Sequence, residues 1–231
     1  MVLGDNMKKK ILVLLVCSLL LVTGCGKDKI NTTGKAYLAK ENMLKLDNLA
    51  YDVKLTTKVM DQDVTINMDC KQDIKNKRDY CKLDAMGIKN EMYTDYANKY
   101  SYTRVDTSAV IGSTAEDNKW VKSKINTVGN SWLNIANYIF NETKEEKDGN
   151  TIYRGTINTK KLSKALTQMN TKSLNFGGLM SKDIPIEVVI DSNNYIKEIN
   201  FELEIIGVKE VVNVTYKDYN SAGDVTLPNV E

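Results

Sequence analysis

Hydrophobic positions change their spacing several times along the chain, and each change marks a boundary. Ile11 to Val22 is an almost unbroken apolar run directly behind Lys8, Lys9 and Lys10. From Lys35 to Leu49 apolar residues fall at Tyr37, Leu38, Met43, Leu44, Leu46 and Leu49, closer to a period of 3.6 than of 2, which predicts an amphipathic helix of about three turns. The period then becomes two. Tyr51, Val53, Leu55, Thr57 and Val59 alternate with Asp52, Lys54, Thr56 and Lys58, as in a strand with one wet face.

Further strands follow on the same rule. Val64, Ile66, Met68 and Cys70 form one inner face, and Cys81, Leu83 and Ala85 another, joined by a tight turn near Lys75 and Asn76. Ile88 to Tyr96 and Tyr100 to Val105 continue the meander around a turn at Ala97, Asn98 and Lys99. Thr107 to Lys119 reads as a loop before a short strand at Trp120, Val121 and Lys122. Ser131 is a suitable N-cap for a second helix carrying Trp132, Leu133, Ile135, Ala136, Ile139 and Phe140, apolar over much of its circumference and so expected to be buried.

The charged stretch Asn141 to Asn150 reads as a surface turn and Thr151 to Ile157 as a strand. Thr159 caps a third helix running to about Asn170. Thr171 to Asp183, with Gly177 and Gly178, is a connecting loop or an apolar flap. Three strands close the chain: Ile184 to Asp191, Tyr195 to Ile205, and Val208 to Tyr219. The expected fold is α+β: one curved antiparallel sheet, a half-open barrel, with about three helices in or over its concave face.

The leader changes the picture most. A basic n-region and an apolar run too short to span a bilayer, which needs roughly 20 residues, read as an export signal. Its last residues, Val22, Thr23, Gly24 and Cys25, resemble the lipobox of bacterial lipoproteins. The resemblance implies cleavage between Gly24 and Cys25 and diacylglyceryl modification, with palmitate-like chains, on the Cys25 thiol. Two acyl chains hold a protein on a membrane stably where one does so only marginally. An ordinary secretory signal with an incidental cysteine is the bland alternative. Met7 begins a more usual signal than Met1. The division expected is a signal peptide over 1–24, a tether over 25–34 and a domain over 35–231. The lipid-anchored protein is placed on the extracytoplasmic face of the cell membrane.

Composition narrows the chemistry. Removing residues 1–24, with three Lys and one Asp, leaves 29 basic and 29 acidic side chains, so no long-range field favours nucleic acid or an anionic surface. No histidine occurs, which removes Ser-His-Asp and Cys-His catalysis and the commonest metal ligand. No catalytic residue, cofactor or metal site is assigned. Asp61 with Asp63, and Glu202 with Glu204, share strand faces as a general acid and base would, but so do ordinary solvated strands. Pairing about the turn at Lys75 and Asn76 keeps the sum of paired positions at 151, which sets Cys70 opposite Cys81. Export permits a disulfide there. Two buried thiols are another reading, and a redox-active pair a third, against which the missing CxxC spacing and flanking helix count.

The order of elements, with the junction Leu46, Asp47, Asn48, Leu49, Ala50, Tyr51 and the ending Val214 to Asn220 followed by Val225 to Pro228, resembles the LolA/LppX-like lipoprotein superfamily. That resemblance implies an apolar cavity between sheet and helices that accepts acyl chains. Met43, Met68, Met92, Trp132, Ile135, Ile139 and Phe140 are the candidate lining residues; the other reading makes them a filled core. Tyr93, Tyr96, Tyr100, Tyr102 and Trp120 either face a ligand or close the rim of the sheet. Two functions are thus carried forward: an anchored lipoprotein binding lipid or another apolar ligand, and a solid-cored lipoprotein acting on an envelope protein.

Overall fold

The computed structural model describes residues 30–59, 62–85, 88–106, 118–125, 132–157, 183–205 and 208–230. Helix α1 spans Lys35–Met43. Strands β1 (Asn48–Val59), β2 (Gln62–Asp73), β3 (Arg78–Ala85), β4 (Ile88–Asp95), β5 (Tyr100–Asp106) and β6 (Val121–Lys124) follow. After a 3-10 helix at Trp132–Tyr138 come β7 (Ile139–Lys147), β8 (Asn150–Ile157), β9 (Ile184–Ile190), β10 (Ile196–Ile205) and β11 (Val208–Lys217).

All eleven strands form one antiparallel sheet in the order β6-β5-β4-β3-β2-β1-β11-β10-β9-β8-β7. It is two meanders back to back, seamed where β1 pairs with β11, and its edge strands β6 and β7 do not pair with each other. Trp132 reports the curvature. Its ring lies 6.5 Å from that of Phe201 on β10, and it also lines a small cavity with Met92 and Thr94 on β4. In a flat sheet β4 and β10 would stand about 24 Å apart, so one indole reaches both only because the sheet bends around it.

Along the central strands the alternation behaves as the sequence pattern predicts. Tyr51, Val53 and Leu55 on β1, and Val212, Val214 and Tyr216 on β11, turn inward and are buried, while Lys54, Val211 and Thr215 face out. The hairpins are set by repeated turn chemistry. Asp73 accepts the backbone N–H and the Nδ2 of Asn76, each at 2.9 Å, and Asp95 does the same for Asn98 at 3.0 and 2.8 Å. The residues that follow, Lys77 and Lys99, take left-handed conformations with φ of 56° and 60°. Asp73 Oδ2 also accepts the N–H of Val225, pinning the C-terminal tail across the β2–β3 turn.

Three expectations change. The second helix is one short 3-10 segment, not an α-helix, and Ile139 and Phe140 belong to β7. The stretch Asn141 to Asn150 is not a surface turn throughout: residues up to Lys147 are an edge strand, and only Asp148 and Gly149, with φ of 50° and 75°, turn the chain into β8. An edge strand tolerates charge on both faces, which hid its strand period. Third, α1 is turned otherwise than its apolar spacing implies. It buries Ala36, Ala39, Lys40 and Met43 and leaves Leu38 and Leu44 outside. The third helix over 159–170, the flap over 171–182 and the N-cap Ser131 lie outside the described residues, so the described helical content is α1 and the 3-10 segment.

Candidate functional site

The concave face has two halves of different character. Over β7–β10 it is covered by α1 and the 3-10 helix, which also pack on each other. Here Met43, Leu49, Leu133, Ile135, Ile139, Ile157, Ile196 and Ile199 are each at most 1% exposed and belong to one core cluster. The side chains interlock even through sulfur: Met43 Sδ accepts the N–H of Ile196 at 3.2 Å. Lys40, buried under the same helix, is neutralised locally. Its Nζ donates to Asn137 Oδ1 at 2.8 Å, lies 2.7 Å from Glu41 Oε1, and stands 4.4 Å above the Tyr37 ring.

Over β4 and β5 the same face is less closed. Ile88, Asn90, Met92, Ser101, Thr103 and Val105 point inward and are half-buried. They continue the row of buried Leu83 and Ala85 on β3. Between the two halves Tyr51, Asp79, Cys81, Met92, Thr94, Tyr96 and Trp132 enclose a cavity of about 10 Å³, room for a single water.

Asp79 is the odd member of this seam. Its side chain shares the inward phase of Cys81 and Leu83, and the residue is 6% exposed. Tyr96 Oη donates to Asp79 Oδ2 at 2.8 Å, while Oδ1 has no hydrogen-bond partner among the described residues. Burial pushes the Asp79 carboxyl up to about 8 against the opposing effect of the Tyr96 bond. The hydroxyls of Tyr51 and Tyr216 are likewise raised by burial, and the two rings meet at 5.6 Å. Tyr51 Oη lies 3.7 Å from Cys81 Sγ. At the other end of the inner face, Glu210 is 3% exposed opposite Thr57, and burial pushes it up to about 7. Two acids thus sit on the inner face with no cation beside them among the described residues, in surroundings that favour their protonated forms.

Cys70 and Cys81 stand directly opposed in the β2–β3 ladder with their Cα atoms 4.2 Å apart, and a disulfide joins them. Of the seven lining candidates, Met43, Met68, Trp132, Ile135 and Ile139 are packed together in the core. Phe140 is half-buried outside that cluster, and Met92 alone faces the less closed half. The aromatic group expected on one surface is divided. Tyr96 faces the seam, whereas Tyr93 and Trp120 meet edge to face at 5.3 Å on the outer face with Tyr80 beside them and Arg104 4.9 Å from the Trp120 ring. Arg104 and Tyr80 hold Glu91 there, and their bonds outweigh burial to keep its carboxyl below the ordinary range. This is a small outer core that closes the sheet end. Glu202 and Glu204 are exposed on the outer face, Glu202 pairing with Lys209 at 2.9 Å. Gly24, Cys25 and Asp61 lie outside the described residues.

Asp79 was missed by the sequence reading, although a signal was present: Asp79, Cys81, Leu83 and Ala85 run at spacing two, so the inner face of β3 begins with a carboxylate. No protein-family model and no curated relative matches the chain. Among solved structures it is similar to LprF from Mycobacterium bovis, at 14% identity over 87% of this chain and 99% of that one, with a TM-score of 0.47. It is also similar to the lipoprotein LppX of Mycobacterium tuberculosis, at 12% identity over 83% and 96%, with a TM-score of 0.42. A DUF1329 family protein from Desulfovibrio piger follows at 8% identity over 87% and 96%, with a TM-score of 0.36.

Proposed function

We propose that the chain is an extracytoplasmic, non-enzymatic lipoprotein, held on the cell membrane by a lipidated Cys25, which binds a lipid or other apolar ligand against the inner face of β3–β5. The leader Lys8–Lys10, Ile11–Val22 and Gly24–Cys25 supports the anchor. The division 1–24 as signal and 35–231 as body is retained in this reading. The observation that carries the binding site is the unequal sealing of the concave face. Under α1 the described side chains are buried against one another in one cluster, whereas Met92, Ile88 and Val105 remain half-buried on the other side. The unbranched thioether of Met92 suits a ligand of variable shape. The ligand therefore belongs beside Met92 rather than among Met43, Met68, Ile135 and Ile139.

Denaturing solvent extraction of the protein purified from membranes, followed by mass spectrometry, tests the reading. A lipid recovered from wild type and lost from Met92→Asp supports it. Equal recovery of nothing from both leaves the second reading, an anchored protein that acts on an envelope partner. That reading is favoured by the five lining candidates that pack into one core.

A further inference from the structure

We propose that the outward arc of α1 rests on the anionic surface of the membrane, so that the concave side of the sheet faces the bilayer; this rests on the reading of Cys25 as the lipidated residue. The tether expected over 25–34 is much shorter than that range. Ile30 already packs against the core. Asn31 donates its backbone N–H to the Asn137 carbonyl at 3.0 Å and its Nδ2 to the Ile139 carbonyl at 2.7 Å. At Lys35 the backbone N–H donates to Glu142 Oε2 at 2.7 Å.

Five residue steps separate Cys25 from Ile30, a reach of about 18 Å at full extension. A nine-residue helix is about 13 Å long. The acyl chains are consequently held within about 18 Å of Ile30, little more than the length of α1, which limits the freedom of the body to turn another side to the lipid. From Asn31, beside the start of β7, α1 runs along the concave side to Met43, which meets the start of β10 at Ile196. Its outer arc thus points away from the outer face of the sheet.

That arc has the composition of an interfacial surface. Leu38 is 44% exposed and Leu44, at the helix end, 39%. Singly exposed leucines are ordinary, but Leu38 lies near the middle of the exposed side of α1, with Lys35 and Leu44 on its two flanks and Lys45 just beyond the helix end, all exposed. Glu41, the acid between them, lies 2.7 Å from the buried ammonium of Lys40. This side accordingly presents two apolar side chains and two ammonium groups that form no ion pair among the described residues, Lys45 Nζ donating only to Asn42 Oδ1 at 3.1 Å; these match the acyl-headgroup boundary and anionic headgroups respectively.

The test uses the mature lipid-modified protein reconstituted in phosphatidylglycerol vesicles containing doxyl-labelled lipid. Leu38→Cys and, on the outer face of the sheet, Val211→Cys each carry one NBD label; Cys70 and Cys81 are bonded and Cys25 is a thioether, so the new thiol reacts alone. The orientation predicts a blue-shifted label at 38 quenched severalfold more than the label at 211. Equal quenching at 38 and 211 in protein that floats with the vesicles overturns it. Protein that does not float overturns the anchor itself, and the orientation with it.

Discussion

Tyr96 donates its hydroxyl to Asp79 across 2.8 Å inside the seam of the concave face, and the other oxygen of Asp79 is left without a partner among the described residues. One hydrogen bond does not compensate for the lost hydration of a carboxylate, so the site holds the acid more readily than its anion. Folding therefore binds a proton that the unfolded chain, with an ordinary Asp, would have released above about pH 4.

The sign of the pH dependence follows. Between about pH 4 and the folded value of about 8, the native state carries more protons than the unfolded one, so stability falls as pH rises. Glu210 adds a decline of the same sign up to about pH 7. Each group contributes a slope of up to about 1.4 kcal/mol per pH unit. Urea unfolding of the mature chain at pH 5 and pH 8 should show a lower midpoint at pH 8, and Asp79→Asn with Glu210→Gln should remove most of the difference.

The disulfide constrains the β2–β3 hairpin. With a sequence separation of 11 between Cys70 and Cys81, loop-closure entropy assigns it about 3 kcal/mol. Reduction, or the double substitution Cys70→Ala with Cys81→Ala, should lower the unfolding free energy measured in urea by that amount while leaving the far-UV circular dichroism spectrum unchanged.

Met68 and Met92 share the inner face but not the same fate. Met68 is 1% exposed in the core, so Met68→Ala should cost about 2–5 kcal/mol in chemical denaturation. Met92 is half-buried beside the seam, and Met92→Ala should cost less than about 1 kcal/mol. Its effect should appear instead as reduced recovery of extractable lipid.

Gly155 sits where β8 passes β7. A Cβ there would lie 2.7 Å from the Phe140 carbonyl oxygen and 2.8 Å from Ile139 Cγ2. Backbone is one of the two obstacles, so Gly155→Ala should destabilise by about 1–3 kcal/mol, read from the thermal midpoint.

Strands with one wet face were legible because burial is what writes a period of two. Val53, Leu55, Val212 and Val214 alternate for that reason, and turn arithmetic placed Cys70 opposite Cys81. The edge strand β7 was not legible, since neither of its faces is consistently buried and Lys144, Glu145 and Glu146 look like a loop. Asp148-Gly149, which closes the expected surface turn, is also a strong hairpin pair that implies a strand before it, and Asp73 to Lys77 repeats as Asp95 to Lys99 with the same Asp–Asn–Lys spacing. Helix α1 was found, but its facing was not. Lys40 goes inside because Asn137 and Glu41 satisfy it, while Leu38 remains out, and no spacing rule anticipates a buried lysine. The Asp79 seam needed the third dimension, since Tyr96, Tyr51, Tyr216 and Trp132 come from four separate segments.

The account rests on the modification of one residue, and intact mass spectrometry of the protein extracted from membranes tests it most directly. The predicted result is a chain that begins at Cys25 and carries the added mass of a diacylglyceryl group on it. A chain that retains residues 1–24, or begins at Cys25 with an unmodified thiol, would contradict it.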